Sequence, residues 1–152
     1  MNPSDLVRDH MATKLITFKA DVDIRKAMRI ILKNNISGAP VVDRGGRLIG
    51  MLSESDCIKV LMEGPYNNSP GGSGTVGEFM SKKVTTIAPD KTLMDLAYKF
   101  LNSKFRRFPV IENGQLVGQI SRSDILRAVV KMRPQVSHIP SSWKGREPKE
   151  KS

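Results

Sequence analysis

This chain of 152 residues has one cysteine, two histidines and only 5% aromatic residues. With Cys57 alone an intramolecular disulfide is excluded, and His10 and His138 cannot form a Cys/His cluster of zinc type, so no metal is expected. No apolar run approaches the ~18 residues of a membrane span, which leaves no membrane partner to expect. The opening MNPSDLVRDHMATK lacks the basic stretch and apolar core of a signal peptide, so a soluble, cytoplasmic protein is expected. No nucleophile, histidine and acid set and no P-loop is visible, so no enzymatic activity is expected. Charge, in contrast, is plentiful. The formal net charge of +10 favours anionic partners, among them nucleotides, nucleic acid or an acidic protein surface. A recognition helix of basic character is lacking and aromatics for base stacking are few, which makes a nucleic-acid binder the second choice.

The chain repeats itself. At a spacing of 69 residues Met11 matches Met80, Lys14 matches Lys83, Thr17 matches Thr86, Asp21 matches Asp90, and Pro40-Val41 matches Pro109-Val110. The register then slips by one, and GMLSESD at 50–56 matches GQISRSD at 118–124. The slip falls where DRGGR becomes ENGQ, in a turn, where a change of length is tolerated. Asn113-Gly114 is a two-residue hairpin signal, since both residues accept positive φ. Each copy therefore carries a β-hairpin.

Upstream of each hairpin the apolar residues fall at helical spacing: Ile24, Ala27, Met28, Ile31 and Leu32, then Leu93, Leu96, Ala97, Phe100 and Leu101. Asp23 and Thr92 stand at the N-cap positions. Helical spacing returns after each hairpin, so each unit reads short strand, helix, strand, strand, helix. The expected division is a first unit at 5–63, a flexible linker at 64–75, a second unit at 76–131 and a basic, disordered tail at 132–152 that contains Trp143.

Ser53 with Asp56, and Ser121 with Asp124, fit the S-x-x-D pattern of a capping box, worth about 1 kcal/mol each. Capping alone does not account for Gly50 and Gly118, or for Ser55 and Ser123. Glycine permits close approach of a ligand or of another backbone, and helix-start N–H groups attract phosphate.

On HMATKLITF with FMSKKVTTIAP, GAPVVD with RFPVIE, and GMLSESD with GQISRSD, the chain resembles the CBS-domain family over residues 5–131, specifically the stand-alone tandem pair called a Bateman module. The resemblance implies an α+β fold of two β-α-β-β-α units packed with pseudo-twofold symmetry, a homodimer, and a non-catalytic sensor. Such a sensor binds AMP, ADP or ATP, or less often S-adenosylmethionine, in clefts between the units and signals to a separate, unknown regulated protein. It requires no cofactor. The family's motif places Asp56 and Asp124 on ribose hydroxyls, and Ser53, Ser55, Ser121 and Ser123 on phosphate or cap. It also completes each cleft from the other unit. The first cleft then holds Ser53, Ser55 and Asp56 with Thr86, Ile87, Arg106 and Arg107. The second holds Ser121, Arg122, Ser123 and Asp124 with Thr17, Phe18, Ser37, Gly38 and Ala39. Because only the first gains the Arg106-Arg107 pair, the Asp56 cleft is expected to take the more phosphorylated ligand.

Overall fold

The computed structural model describes residues 5–63 and 74–132. Most of the expected linker, and nearly all of the expected tail with Trp143, lie outside the described residues. In chain order the elements are α1 (Val7–His10), α2 (Ile24–Lys33), β1 (Gly38–Val42), β2 (Leu48–Ser53) and α3 (Glu54–Glu63), then α4 (Val76–Phe79), α5 (Leu93–Leu101), β3 (Arg107–Glu112), β4 (Gln115–Ser121) and α6 (Arg122–Lys131).

The expected caps form. Asp23 accepts the Lys26 N–H at the start of α2, and Thr92 and Asp95 make a reciprocal capping box at the start of α5. β1 pairs antiparallel with β2, and β3 with β4, each ladder shifting register just after Val41 or Val110. In the second turn Asn113 and Gly114 have φ of 52° and 80°, as the sequence requires of a tight hairpin.

The expected first strand of each unit contracts to one parallel bridge, Phe18 to Val41 and Ile87 to Val110. The Phe18 N–H donates to the Pro40 carbonyl at 3.0 Å, and the Val42 N–H donates to the Phe18 carbonyl at 2.9 Å. Extending this ladder back toward Ile16 needs a donor at residue 40, and proline has none. Pro109 imposes the same limit at Ile87.

Two cores result, and they do not follow the repeat boundary. Phe18, Ile24, Ile31, Val41 and Leu52 of the first repeat close around Val76 and Phe79 of α4. Ile87, Leu96, Phe100, Phe108 and Ile120 of the second close around Val7 of α1. Each repeat thus lends its leading helix to the other. Backbone bonds fix the exchange: Val7 N–H to the Lys91 carbonyl at 2.8 Å, and Val76 N–H to the Val22 carbonyl at 2.9 Å. Val7 and Val76 are both fully buried, and burying a valine contributes about 1.5–3 kcal/mol, so the exchange couples the stability of the two units.

Candidate functional site

The two GxxSxSD segments each turn a strand into a helix. Ser53 Oγ accepts the Asp56 N–H at 3.1 Å while Asp56 accepts the Ser53 N–H at 2.9 Å. Ser121 and Asp124 reproduce the pair at 3.2 and 2.8 Å. Capping therefore holds both aspartates at the same point of the fold, beside the segment that has crossed from the other repeat. Ala12 pairs with Gln119, and Ser81 with Met51.

That crossing explains the repeated glycines. A Cβ on Gly118 would lie 2.5 Å from the Met11 sulfur and 2.9 Å from the Ala12 carbonyl oxygen; on Gly50 it would lie 2.6 Å from the Met80 sulfur and 3.0 Å from the Ser81 carbonyl oxygen. Of the two partners the sequence left open for glycine, a ligand or another backbone, the segment lying against each is protein.

A cavity of about 280 Å³ opens beside Asp124. The first repeat contributes Ala12, Lys14, Ile16, Ile36 and Gly38 to its lining, and the second contributes Arg107, Gln119, Ser121 and Asp124. Its chemistry is divided. Lys14 and Arg107 bring positive charge, Asp124 brings a carboxylate, and Ile16 and Ile36 offer apolar surface. Arg107 Nε and Gln119 Nε2 are buried and have no hydrogen-bond partner among the described residues. Buried donors are nearly always satisfied, and one left unpaired costs about 1–3 kcal/mol, so two on residues that line one cavity mark a place where an acceptor from outside the described residues would be favourable.

Arg107 differs from its expected place with Asp56. As the first residue of β3 it pairs with Ser121, the N-cap of α6, and it lines the cavity at Asp124 of its own repeat. Asp56 is instead 4% exposed and held by protein: Oδ1 accepts from Lys59 Nζ at 3.1 Å and from Ser81 Oγ at 3.2 Å. Of the expected Arg106-Arg107 pair, Arg107 is thus found at the cavity beside Asp124.

The other expected residues divide. Gly38, Ser121 and Asp124 line the cavity. Phe18 and Ile87, at the two single bridges, and Ala39, paired with Leu52 in β1, are buried in the two cores. Arg122 leaves the cleft: Nε donates to the Phe105 carbonyl at 3.1 Å, and Nη2 to the carbonyls of Ser103 and Phe100 at 3.3 and 3.4 Å, tying α6 to the end of α5. Thr86 gives its carbonyl to the Lys99 ammonium. Thr17, Ser37, Ser55, Arg106 and Ser123 are exposed, with the Ser37 carbonyl accepting from Glu54 N–H and the Arg106 carbonyl from Arg122 N–H.

Gln119, Lys14 and Ile36 were not among the expected site residues. The strand alternation that places Gln119 and Ser121 on one face of β4 was the available signal for the first. No local pattern marks the other two, which reach the cavity from the opposite repeat.

The family model for the CBS domain matches residues 7–63 and again 76–131. The chain belongs to the CBS domain family. It is 31% identical over 121 residues to an uncharacterized protein of Methanocaldococcus jannaschii, MJ1225, covering 80% of this chain and 41% of that one. Among solved structures it is similar to CBSX2, a CBS-pair protein of Arabidopsis thaliana, whose complex with AMP aligns with a TM-score of 0.73 at 26% identity over 83% of this chain and 96% of that one. It is also similar to the CBS domain pair of MJ0100, solved with 5′-methylthioadenosine and S-adenosylmethionine, with a TM-score of 0.67 at 28% identity over 82% of this chain and 95% of that one. The fold is therefore the α+β tandem CBS pair. No helix among the described residues is long and apolar enough to cross a membrane.

Proposed function

We propose that this chain is a non-catalytic regulatory module that binds an adenosine nucleotide in the cleft at Asp124 and relays its occupancy to a separate protein. The observation that carries the reading is one cavity lined by Asp124, Arg107, Gln119 and Lys14, in which Arg107 Nε and Gln119 Nε2 are buried without a partner among the described residues. A ribose diol donates to the Asp124 carboxylate, a phosphate accepts from Arg107 and Lys14, and the adenine lies against Ile16 and Ile36 with a ring nitrogen accepting from Gln119. A charge-assisted Arg–phosphate contact is the strongest of these. The adenosine moiety shared by the ligands of CBSX2 and MJ0100 supports the same class. A cavity of about 280 Å³ is at the small end of ligand pockets, which favours AMP over ADP and ATP.

The second copy expected in a homodimer has matching support. Leu32 and Leu101, Ile58 and Leu126, Leu61 and Val129, and Met62 and Val130 are exposed and occupy equivalent positions in the two repeats. Paired apolar patches of this kind suit a self-complementary interface. A ligand bridging the repeats shifts such an assembly only through differential affinity for its arrangements.

Titration calorimetry with AMP, ADP, ATP and S-adenosylmethionine tests the site. Sub-millimolar binding of AMP is expected, weakened about tenfold or more by Asp124→Ala and by Arg107→Ala, the loss of one charged hydrogen bond each. Adenosine, which has no phosphate, should be nearly indifferent to Arg107→Ala. Absence of binding by all four ligands refutes the reading.

A further inference from the structure

The two heptads are nearly the same in sequence and differ in what faces them. Against Asp56 stands Ser81, whose hydroxyl lies 3.2 Å from Oδ1 and 3.4 Å from Oδ2 of the carboxylate. The equivalent position in the other repeat is Ala12, which lines the Asp124 cavity and brings no hydrogen-bond donor in its side chain. Among the described residues Asp124 is held from its own repeat, by the N-cap Ser121 and by Arg127 Nη2 of α6 at 2.5 Å. Its side chain is 16% exposed, against 5% for Asp56. A second pair of positions differs in the same sense. Gln119, which crosses Ala12 and lines the cavity, has a buried amide donor without a partner among the described residues, whereas Met51, which crosses Ser81, has no donor to offer.

We propose that Ser81 closes the Asp56 cleft to ribose by occupying the carboxylate that a sugar diol needs, so that each chain takes one adenosine ligand, at Asp124. The inference rests on the reading of Asp124 as an adenosine site. A ribose hydroxyl entering at Asp56 must displace the Ser81 hydroxyl from a bond of the same kind, gains nothing by the exchange, and leaves Ser81 to find another acceptor. At Asp124 the Ala12 methyl makes no such bond, so the diol has no hydroxyl of the other repeat to displace and, among the described residues, shares the carboxylate only with Ser121 and Arg127. The Ser81 hydroxyl is thus the difference that acts on the carboxylate itself, beside the exchange of Gln119 for Met51.

The test is the stoichiometry of AMP binding to the full chain, measured by titration calorimetry. Wild type is expected to take one equivalent per chain, and Ser81→Ala two. Ala12→Ser, which places the same hydroxyl against Asp124, is expected to weaken AMP about tenfold. The double exchange Ala12→Ser with Ser81→Ala is expected to restore one tight site that no longer responds to Asp124→Ala. Because Ala12→Ser carries the argument separately, a poorly folded Ser81→Ala does not stall it. Two equivalents of equal affinity in wild type overturn the closure by Ser81 and leave the adenosine reading standing. So does a folded Ser81→Ala that still takes one equivalent, or an Ala12→Ser that binds as wild type does. No AMP binding by wild type or by any variant overturns the adenosine reading, and this inference with it.

Discussion

Replacing Gly118 by alanine should destabilise the protein and weaken its ligand, whereas Gly50→Ala should do only the first. Gly118 is buried in β4 and its φ is not positive, so alanine meets no backbone strain, and the cost is one of contact. The new methyl falls 2.5 Å from the Met11 sulfur and 2.9 Å from the Ala12 carbonyl oxygen. The sulfur ends a flexible side chain and can turn away. The carbonyl cannot, because it accepts the Gln119 N–H at 2.9 Å in the bridge that joins the repeats. Overpacking of this kind costs about 1–3 kcal/mol, and the lower entropy of the unfolded alanine chain offsets about 0.5 kcal/mol of it. A net loss near 2 kcal/mol lowers the melting temperature of a domain of this size by about 4–8 °C. Thermal melts followed by circular dichroism, with urea unfolding alongside, measure it. Relief of the strain pushes Ala12 away from β4, which opens the cavity at Ala12 and Gln119, so AMP affinity should fall with stability. Gly50→Ala meets the Ser81 carbonyl at 3.0 Å and should cost a similar or slightly smaller amount, with AMP affinity unchanged. A Gly118→Ala protein as stable as wild type, or a loss of AMP affinity equal in both variants, refutes the reasoning.

Arg122→Ala should lower stability by about 1 kcal/mol, because it removes three hydrogen bonds to the carbonyls at and just beyond the end of α5, and should leave AMP affinity as it was; a large affinity loss returns Arg122 to the cleft. The Cys57 thiol is held above its ordinary pKa, first by burial and then by the carboxylates of Asp56 and Glu54. Alkylation by iodoacetamide should therefore be slow at neutral pH and rise steeply only beyond the ordinary thiol range, with Glu54→Gln faster than wild type. The sign for stability follows: a thiol with a raised folded pKa contributes stability that is complete below the unfolded value and lost as pH rises through the folded one. Rapid neutral-pH labelling of folded protein contradicts this. Light scattering should find a dimer, and Leu61→Glu with Val129→Glu should yield folded monomers; wild type that is monomeric at high concentration removes the homodimer.

Local chemistry carried much of the fold into the sequence. The hairpin at Asn113-Gly114, the caps at Asp23, Thr92, Ser53 and Ser121, and the apolar stripes of α2 and α5 each depend on residues within a few positions of one another. Such features repeat wherever the residues repeat, which is why the two units were legible as a pair. The first strand of each unit is no more than one parallel bridge because Pro40 and Pro109, read as markers of the middle strand, also remove the donor that a longer ladder needs.

The site was legible in kind but not in place. By itself the sequence determined two equivalent helix starts, each holding a serine and an aspartate in a capping box, because those bonds are made within the heptad. Only the tertiary structure decided which of the two carboxylates meets a hydroxyl from the other repeat. The exchange of α1 and α4 sets Ala12 against one repeat and Ser81 against the other, and β3 pairing sets Arg107 beside Ser121. A hydrogen bond across such a crossing depends on which residue arrives from the far repeat, and no spacing within either heptad carries that information.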